Sequence, residues 1–334
     1  MSLLADQITI AVTVYNRRQY IKQAVASAVN QSIPVRVVVL EDCGPDPTLE
    51  SFVKDEFGPK IEYIRNSRRR GLFGNWNACM DVCATEWLSI LHDDDYLAPG
   101  FVESMIELAD RAPGKALYFG RTIVVDERGK TLGENPIRPV NEDWHSVNLR
   151  DIVDGPPFSF PGQLFNVSAA KKVGGFRESS YYCGDWEMWA KLIAIGGATQ
   201  SAKVSAFNRC HESLDKGTNA VIRNGRQIPA TFVQQKRVFA LLPEDSKIRF
   251  DRVAYQSRHP VPVLFLLRYG ASWRPRLLVY HLRLLLLSRP PHWPYAVYQW
   301  CARVGGTGFV RLSSKLWNRM RRTKPIPSPL SNGS

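Results

Sequence analysis

Three consecutive aspartates, Asp93–Asp95, follow the apolar segment 86–91 and are the strongest chemical signal in the sequence. Adjacent carboxylates repel one another, and a helix N-cap needs only one, so capping of a helix that begins near Pro99 explains the group poorly. A divalent cation would neutralise them, and Mg²⁺ and Mn²⁺ bind carboxylate oxygens together with water and substrate phosphates. The segment therefore predicts a metal site that also receives a diphosphate.

A second acid, Asp42, lies at the end of another apolar segment, residues 35–40. Taken alone, Asp42 is best explained as the cap of a helix that follows Pro47. Beside a phosphate-type site it becomes a candidate acceptor for a nucleotide base or ribose. The sequence has no G-x-G-x-x-G at a strand end and no P-loop motif, which disfavours dinucleotide sites and P-loop phosphate sites built on glycine.

The elements that must position these acids alternate between strand and helix. The patterns predict strands at 8–15, 35–40, 60–64 and 86–91, with helices from Arg17, at 47–57 and at 75–84 between them. Alternation with short links predicts an α/β fold with a parallel sheet and right-handed crossovers. Ligands of such sheets bind at the carboxyl ends of the strands, where the clusters TVYN, EDCG and HDDD all fall.

Further elements are predicted up to residue 197. They are a helix at 101–112, a strand at 115–120, a hairpin around 126–130, a loop at 135–162 and a helix at 185–197 that ends at Gly196 and Gly197.

The 334 residues, 44% of them hydrophobic, suffice for one large core and a smaller unit. Scattered cysteines, no secretory signal pattern and no apolar run of about 18 residues favour a cytoplasmic protein without a spanning helix.

The net charge of +13 is concentrated in the last quarter of the chain, since residues 247–334 contain 16 Lys and Arg and one acid. Within 260–300, short Leu-rich runs alternate with Arg and Trp, which is typical of a helix in the membrane interface. A helical subdomain that packs its Leu side chains on the core would give the same pattern. An anionic membrane surface is a candidate partner, and nucleic acid is disfavoured because the basic residues lie among Leu runs.

Six segments in a fixed order resemble glycosyltransferases of family 2, and the resemblance covers about residues 6–220. The segments are VTVYNRRQYI, VVVLEDCG, NSRRRGLFGNWNAC, LHDDDYLAP, VGGFRESSYYCGDWEMWAKL and NRCHESL. The resemblance implies the GT-A fold, a Rossmann-like and mostly parallel sheet flanked by helices. Together with the change in composition near residue 225, it predicts a catalytic domain (1–225), a basic Leu- and aromatic-rich helical region (226–320) that is a candidate for membrane association, and a disordered tail (321–334).

The resemblance also implies a reaction, the inverting transfer of a sugar from a UDP-, GDP- or dTDP-sugar to a hydroxyl of a saccharide or lipid-linked saccharide. The expected setting is the synthesis of a cell-envelope or exported polysaccharide, in the cytoplasm, with the inner face of the plasma membrane as a candidate location. An alternative is a catalytically inactive protein of the same fold that binds a nucleotide sugar or a glycan.

By the same resemblance, five residues would contact the donor. Thr13, Tyr15 and Asp42 would hold the nucleoside, with Tyr15 against the base, and Asp94 would contact the ribose or the sugar. Asn75 stands where some members have an Arg that faces the diphosphate. The neighbouring basic segment, Arg68–Arg70, would supply that charge or would be a solvated basic loop.

The remaining roles concern the metal and the acid–base chemistry. Asp93 and Asp95 would bind Mn²⁺ or Mg²⁺ as the Asp-x-Asp motif, and His211 would reach the metal or the pyrophosphate unless it is structural. Asp185 would be the general base, although it would also serve as N-cap of its own helix. Two departures stand out: Glu41 replaces the usual first Asp of its motif, and Gly184 replaces the usual Glu before the base.

Overall fold

The computed structural model describes residues 3–134, 143–152, 158–180, 183–211, 233–234 and 237–243. Most of the predicted basic helical region (226–320) and all of the predicted disordered tail (321–334) lie outside the described residues.

The described residues alternate between strands and helices through most of their length. The strands are β1 (Ile8–Val14), β2 (Arg36–Glu41), β3 (Glu62–Arg65), β4 (Trp87–His92), β5 (Tyr96–Leu97), β6 (Leu117–Val125), β7 (Thr131–Glu134), β8 (Trp144–Val147), β9 (Gln163–Asn166) and β10 (Ala198–Arg209). The helices are α1 (Arg18–Val29), α2 (Leu49–Phe57), α3 (Gly71–Val82), α4 (Phe101–Arg111), α5 (Val167–Lys172) and α6 (Gly184–Gly196). Short 3₁₀ turns occupy Ala5–Gln7, Gly58–Lys60 and Leu149–Ile152.

The strands form one mixed sheet in the order β3-β2-β1-β4-β9-β6-β10-β5. Strands β3, β2, β1 and β4 are parallel neighbours, β9 is antiparallel to both β4 and β6, and β10 is parallel to β6. β7 pairs with β6 as the predicted hairpin, and β8 pairs with the first part of β10. The predicted α/β class with a mostly parallel sheet is confirmed.

Apolar layers cover both faces of the sheet. On one face, Ile10 and Val12 of β1 belong to a buried cluster with residues of α1, α2 and α4. On the other face, Ala11 belongs to a second cluster with α3 and α6. All seven residues of β1 are buried, which explains why this segment is apolar apart from its threonines and β-branched apart from Ala11.

Sequence patterns missed several elements, including the 12-residue strand β10. Residues 144–147 form β8, so the prediction that 135–162 is loop throughout is wrong there, and β5, β9, α5 and β10 were not predicted at all. The register of β10 against β6 shifts near Val204, which breaks the simple alternation that reveals a strand. Among the described residues, no helix has the length and apolarity needed to cross a bilayer.

Candidate active site

The polar clusters predicted at strand ends meet at one edge of the sheet. In the parallel register, Val14 of β1 lies opposite Glu41 of β2, and Thr13 lies opposite His92 of β4. Asp42 and Asp93 therefore emerge on either side of the end of β1. The end of β10 reaches the same place, since the backbone N–H of Arg209 donates to Asp95 Oδ1 at 2.8 Å.

Asp42 caps helix α3. Its Oδ1 accepts the backbone N–H of Arg70 at 2.7 Å, and its Oδ2 accepts that of Gly71 at 2.9 Å. The sequence had suggested the helix after Pro47 instead, but there Asp46 accepts the N–H of Thr48. A buried acid that satisfies two N–H groups at a helix start is held firmly in place, and α3 consequently begins four residues before the predicted start.

Asn75 is linked to Asp42 through a third polar side chain. The amide of Asn66 donates to Asn75 Oδ1 at 2.8 Å and lies 3.3 Å from Asp42 Oδ1. All three residues are buried. Asp42 and Asn75, both predicted to contact the nucleotide-sugar donor, thus belong to one hydrogen-bonded group at the start of α3.

The turns after β1 and β2 touch each other through the backbone. A Cβ on Gly44 would lie 1.9 Å from the carbonyl oxygen of Tyr15, so only glycine fits at this position without displacing backbone. The fully buried carboxylate of Glu41 holds the turn, because Oε1 accepts the N–H of Gly44 at 2.9 Å and Oε2 accepts the hydroxyl of Tyr63 at 2.7 Å. Glu41, the departure noted in the sequence, is therefore a structural anchor that also pairs with Arg65.

The two remaining residues predicted to hold the nucleoside lie at the end of β1. The Thr13 hydroxyl donates to the carbonyl of Leu91 at 3.3 Å. The half-buried ring of Tyr15 is covered by Arg69, whose guanidinium carbon lies 4.3 Å from the ring centroid. One face of this ring is thus in a cation–π contact with an exposed side chain, at the place where a base was predicted to stack.

The first two aspartates of the triplet share one cation. Arg17 Nη1 lies 3.1 Å from Asp93 Oδ1 and 2.7 Å from Asp94 Oδ2. His211 Nε2 also lies 2.7 Å from Asp94 Oδ2. Burial raises the pKa of Asp93 to about 6 despite the charge of Arg17. Burial also acts on Asp94, but the hydrogen bond with His211 and the charge of Arg17 outweigh it and lower the pKa of that carboxyl.

The third aspartate has one satisfied oxygen and one orphaned oxygen. Asp95 Oδ1 accepts the N–H of Arg209 at 2.8 Å and the amide of Asn208 at 3.0 Å. Asp95 Oδ2 is buried and accepts no hydrogen bond from any described residue. The nearest basic atom is Nδ1 of His92, at 3.5 Å, and burial raises the pKa of the Asp95 carboxyl. A buried carboxylate oxygen without a hydrogen-bond partner destabilises the folded protein unless a ligand binds it.

A divalent cation fits this arrangement. One ligand atom each of His92, Asp94 and Asp95 lie within 4.8 Å of one another, and Asp95 Oδ2 lacks any other partner among the described residues. Carboxylate oxygens and an imidazole nitrogen are suitable ligands for Mn²⁺ and related ions. Of the residues predicted as ligands, Asp95 lies in this group, whereas Asp93 is paired with Arg17 and His211 with Asp94. The predicted ligand set stays a prediction.

The sequence interpretation overlooked His92 and Arg17. His92 immediately precedes the triplet, and its ring is stacked on Phe160 with centroids 4.3 Å apart, so its orientation is fixed by core packing. Burial opposes protonation of His92, yet the neighbouring aspartates raise its pKa above the ordinary value. Arg17 follows the Tyr15–Asn16 turn. In both cases the sequence feature that could have revealed the residue is its position, because each is a basic residue within three positions of the end of a strand that leads into the site.

Asp185 lies in the first turn of α6 and is partly buried. Burial raises the pKa of its carboxyl, and the backbone N–H groups of Trp186 and of Asp185 itself act in the opposite direction. The charge of His92 also acts on Asp185, so the two side chains are within electrostatic reach of each other. The role of Asp185 as general base stays a prediction.

Two cysteines with a strained backbone lie close in sequence to the predicted functional acids Asp42 and Asp185. In the described part of the chain, the non-glycine residues with positive φ are Cys43 (51°) and Cys183 (57°). Cys43 follows Asp42, and Cys183 is the N-cap of the helix that carries Asp185. Non-glycine residues in this conformation concentrate at functional sites. Gly184, between Cys183 and Asp185, is required as well, because a Cβ there would lie 2.5 Å from the ring of Phe73.

The sequence profile of Glycosyl transferase family 2 matches residues 9–167. The chain contains a family 2 glycosyltransferase domain. The match spans β1 to the start of α5 and includes the acidic triplet, and it confirms the family to which the sequence segments pointed.

Curated relatives agree with this assignment. An uncharacterised glycosyltransferase of Rickettsia felis is 23% identical over 218 residues, which are 63% of this chain and 35% of that protein. The succinoglycan biosynthesis protein ExoO of Rhizobium meliloti is 34% identical over 128 residues, 37% of this chain and 36% of that protein. Chondroitin synthase of Escherichia coli is 22% identical over 219 residues, 65% of this chain and 30% of its own length. The chain thus spans about a third of the length of these relatives.

Solved structures confirm the fold. The crystal structure of residues 1–349 of S. aureus TarS in complex with UDP-GlcNAc superposes with a TM-score of 0.54 at 16% identity and covers 81% of this chain and 82% of that one. The complex of the same fragment with UDP also gives a TM-score of 0.54, at 15% identity, over 73% of this chain and 72% of that one. The family 2 glycosyltransferase domain therefore has the predicted GT-A fold.

Proposed function

We propose that this chain is a metal-dependent, inverting glycosyltransferase that transfers a sugar from a nucleoside-diphosphate donor to a saccharide hydroxyl. The family 2 domain supports glycosyl transfer in general. The observation that carries metal dependence is the buried Oδ2 of Asp95, which accepts no hydrogen bond from the described residues although Asp95 is grouped with His92 and Asp94.

A UDP-sugar is the favoured donor, because two of the solved structures that share this fold are complexes with UDP and with UDP-GlcNAc. In this proposal the nucleoside binds at the ends of β1 and β2, on Thr13, Tyr15 and Asp42. Asp94 contacts the ribose or the sugar, and Asn75 lies toward the diphosphate. Arg69 moves off the ring of Tyr15 or stacks on the opposite face of the base.

The chemistry needs a base and a means of stabilising the leaving group. Asp185 takes the proton of the acceptor hydroxyl while the hydroxyl oxygen forms a bond to the anomeric carbon of the donor sugar. The bond between that carbon and the diphosphate breaks at the same time, so the configuration at the anomeric carbon is inverted. A positioned carboxylate of this kind contributes about 100- to 10,000-fold to the rate. When bound, Mn²⁺ or Mg²⁺ would supply positive charge to the departing diphosphate. His92, Asp94 and Asp95 are the residues that would hold it, with His211 and Asp93 beside them.

The acceptor belongs to polysaccharide synthesis in this proposal. ExoO is named for succinoglycan biosynthesis, and a 23% identical relative in Campylobacter jejuni is named as a glucosyltransferase acting on an undecaprenol-linked saccharide. If the acceptor is a lipid-linked saccharide, the reaction takes place at the cytoplasmic face of the membrane. The excess of basic residues in 247–334 would then bind the anionic lipid surface there.

The proposal is tested by measuring UDP release from UDP-GlcNAc with Mn²⁺ and with EDTA, together with UDP binding by calorimetry. We expect turnover only with the metal, loss of at least about 100-fold in Asp95→Asn, and no change in Asp110→Asn, which alters an exposed carboxylate outside the site. Asp185→Asn should lose turnover while it binds UDP as the wild type does. Full activity in EDTA would refute metal dependence.

The alternative, a binding protein that has lost catalysis, has a distinct result in the same assay. Wild-type protein would then bind UDP but release none from UDP-, GDP- or dTDP-sugars. The Asp185→Asn change would alter neither measurement.

A further inference from the structure

The guanidinium of Arg17 lies at the mouth of the acidic triplet and is only partly used. A single nitrogen, Nη1, contacts both Asp93 and Asp94, and the side chain keeps 28% of its surface exposed. Among the described residues, Nε and Nη2 of Arg17 have no hydrogen-bond partner. A guanidinium offers five N–H donors in a planar fork that matches phosphate oxygens, so this side chain has donors to spare.

A second arginine at the same site shows what a purely structural role looks like. Arg209 donates from Nε to the carbonyl of Asp94, from Nη1 to the carbonyls of Asp126 and Glu127, and from Nη2 to Gln23. Every nitrogen of that guanidinium is engaged, and the residue is buried. Arg17 differs in both respects.

The charges at the site place Arg17 in competition with a divalent cation. Asp94 is paired with Arg17 through the same oxygen that contacts His211, and Asp94 also belongs to the group of potential metal ligands formed with His92 and Asp95. A cation bound there would repel the guanidinium and compete for Asp94. A diphosphate that binds the cation would bring new negative charge within reach of the free donors of Arg17.

We propose that Arg17 is a diphosphate-binding residue which, until the donor arrives, neutralises Asp93 and Asp94 and holds the metal affinity of the site low. This inference rests on the proposed function, because it assigns a role within the same donor and metal site. It makes binding of metal and donor cooperative: the metal alone must displace Arg17, whereas the metal together with a diphosphate gives Arg17 a better partner.

The test is calorimetric and needs no turnover. Mn²⁺ is titrated into the full-length wild type and into Arg17→Gln, and UDP is then titrated in saturating Mn²⁺. In Arg17→Gln we expect Mn²⁺ alone to bind about tenfold more tightly and UDP to bind about tenfold more weakly. Arg17→Lys keeps the charge but not the fork, so Mn²⁺ affinity should stay near the wild-type value while UDP affinity falls.

Arg18→Gln is the matched control, because Arg18 is the next residue and pairs with Asp46 and Thr48 away from the triplet. It should change both affinities less than about twofold. Circular dichroism and thermal melting of each variant establish that the fold is retained.

The opposite signs of the two effects separate this role from a structural one, since a distorted site would weaken both ligands. Unchanged or weaker Mn²⁺ binding in Arg17→Gln, or unchanged UDP binding, would overturn the inference. If the wild type binds no Mn²⁺ but Arg17→Gln does, the competition is supported directly. If neither protein binds Mn²⁺ in the absence of UDP, the competition is overturned, whereas metal dependence is decided separately by turnover in Mn²⁺ and in EDTA. The UDP titration then decides whether Arg17 contacts the diphosphate.

Discussion

Glu187 is a buried carboxylate that ties helix α6 to two other segments, and its removal should destabilise the protein. It is 2% exposed and accepts from Arg177 at 2.7 and 3.0 Å through one oxygen and at 3.1 Å through the other. Lys191 lies 3.3 Å from Oε1, and Arg237 lies 3.0 Å from Oε2. Three cations thus depend on one acid, two residues after the proposed base Asp185.

The expected cost of Glu187→Gln follows from these contacts. Breaking a buried pair by removing one partner costs about 3–5 kcal/mol, but the three cations can partly rehydrate because 42%, 20% and 34% of their side-chain surfaces are exposed. We therefore expect a loss of about 2–3 kcal/mol in the free energy of unfolding, or about 4–10 °C in Tm.

The measurement is urea unfolding of the wild type and of Glu187→Gln, with Glu50→Gln as the control. Glu50 pairs with Lys54 at 2.6 Å, but both side chains are more than 40% exposed, so this change should cost less than about 0.5 kcal/mol. Equal free energies of unfolding for Glu187→Gln and Glu50→Gln would refute the argument that burial makes the ion pairs of Glu187 more stabilising than the exposed pair of Glu50.

The same carboxylate predicts a pH dependence. Burial opposes ionisation, but the hydrogen bond with Arg177 and the charge of Lys191 outweigh it and lower the pKa of Glu187 in the folded protein. Its contribution is therefore present above the unfolded pKa of about 4.3 and is lost as the pH falls through the lower folded value. The stability difference between wild type and Glu187→Gln should shrink below about pH 4.3 and stay constant from about pH 5.5 to 8.

Three further changes follow from single contacts. Asp42→Ala removes the acceptor of two N–H groups at the start of α3, so it should cost about 1–2 kcal/mol in urea unfolding and weaken UDP binding, whereas an undisturbed Tm would contradict the cap. Gly184→Ala should destabilise by about 1–3 kcal/mol because its Cβ meets the ring of Phe73, and Phe73→Leu in the same chain should recover part of that loss. Leu242→Ala should cost about 2–4 kcal/mol, since that side chain is 3% exposed, while Val233→Ala, at 47% exposed, should stay within about 0.5 kcal/mol; equal effects would mean that this segment does not belong to the core.

The arrangement of the first four strands was predictable because it depends on local pattern and on a topological rule. Buried parallel strands give continuous apolar segments, and their carboxyl ends must share one edge of the sheet. That is why Thr13, Asp42 and the triplet Asp93–Asp95 could be grouped from their positions in the sequence. The short antiparallel strand β9 has only four residues, too few for periodicity to distinguish it from loop.

Partners distant in sequence were not predictable from local pattern. Glu187 and Arg237 are 50 residues apart, and the sequence around Arg237 gives no sign that it reaches α6. Val238 is buried in the cluster that includes α6, and Leu242 is buried as well, although the composition of the chain changes near residue 225. The domain limit at residue 225 stays a prediction, and the Leu242 variant bears on it directly.

The repulsion among three adjacent aspartates is relieved differently at each of them. Asp93 and Asp94 share the charge of Arg17, and Asp94 gains a second partner in His211. Asp95 uses one oxygen to accept the backbone N–H of Arg209, and its other oxygen is buried without a hydrogen bond from the described residues, 3.5 Å from Nδ1 of His92. From the residue types alone, a divalent cation was expected to relieve the repulsion, but a nearby arginine relieves part of it. The case for a metal therefore depends on one orphaned oxygen rather than on the number of acids, and Asp95→Asn tests it more sharply than any change at Asp93.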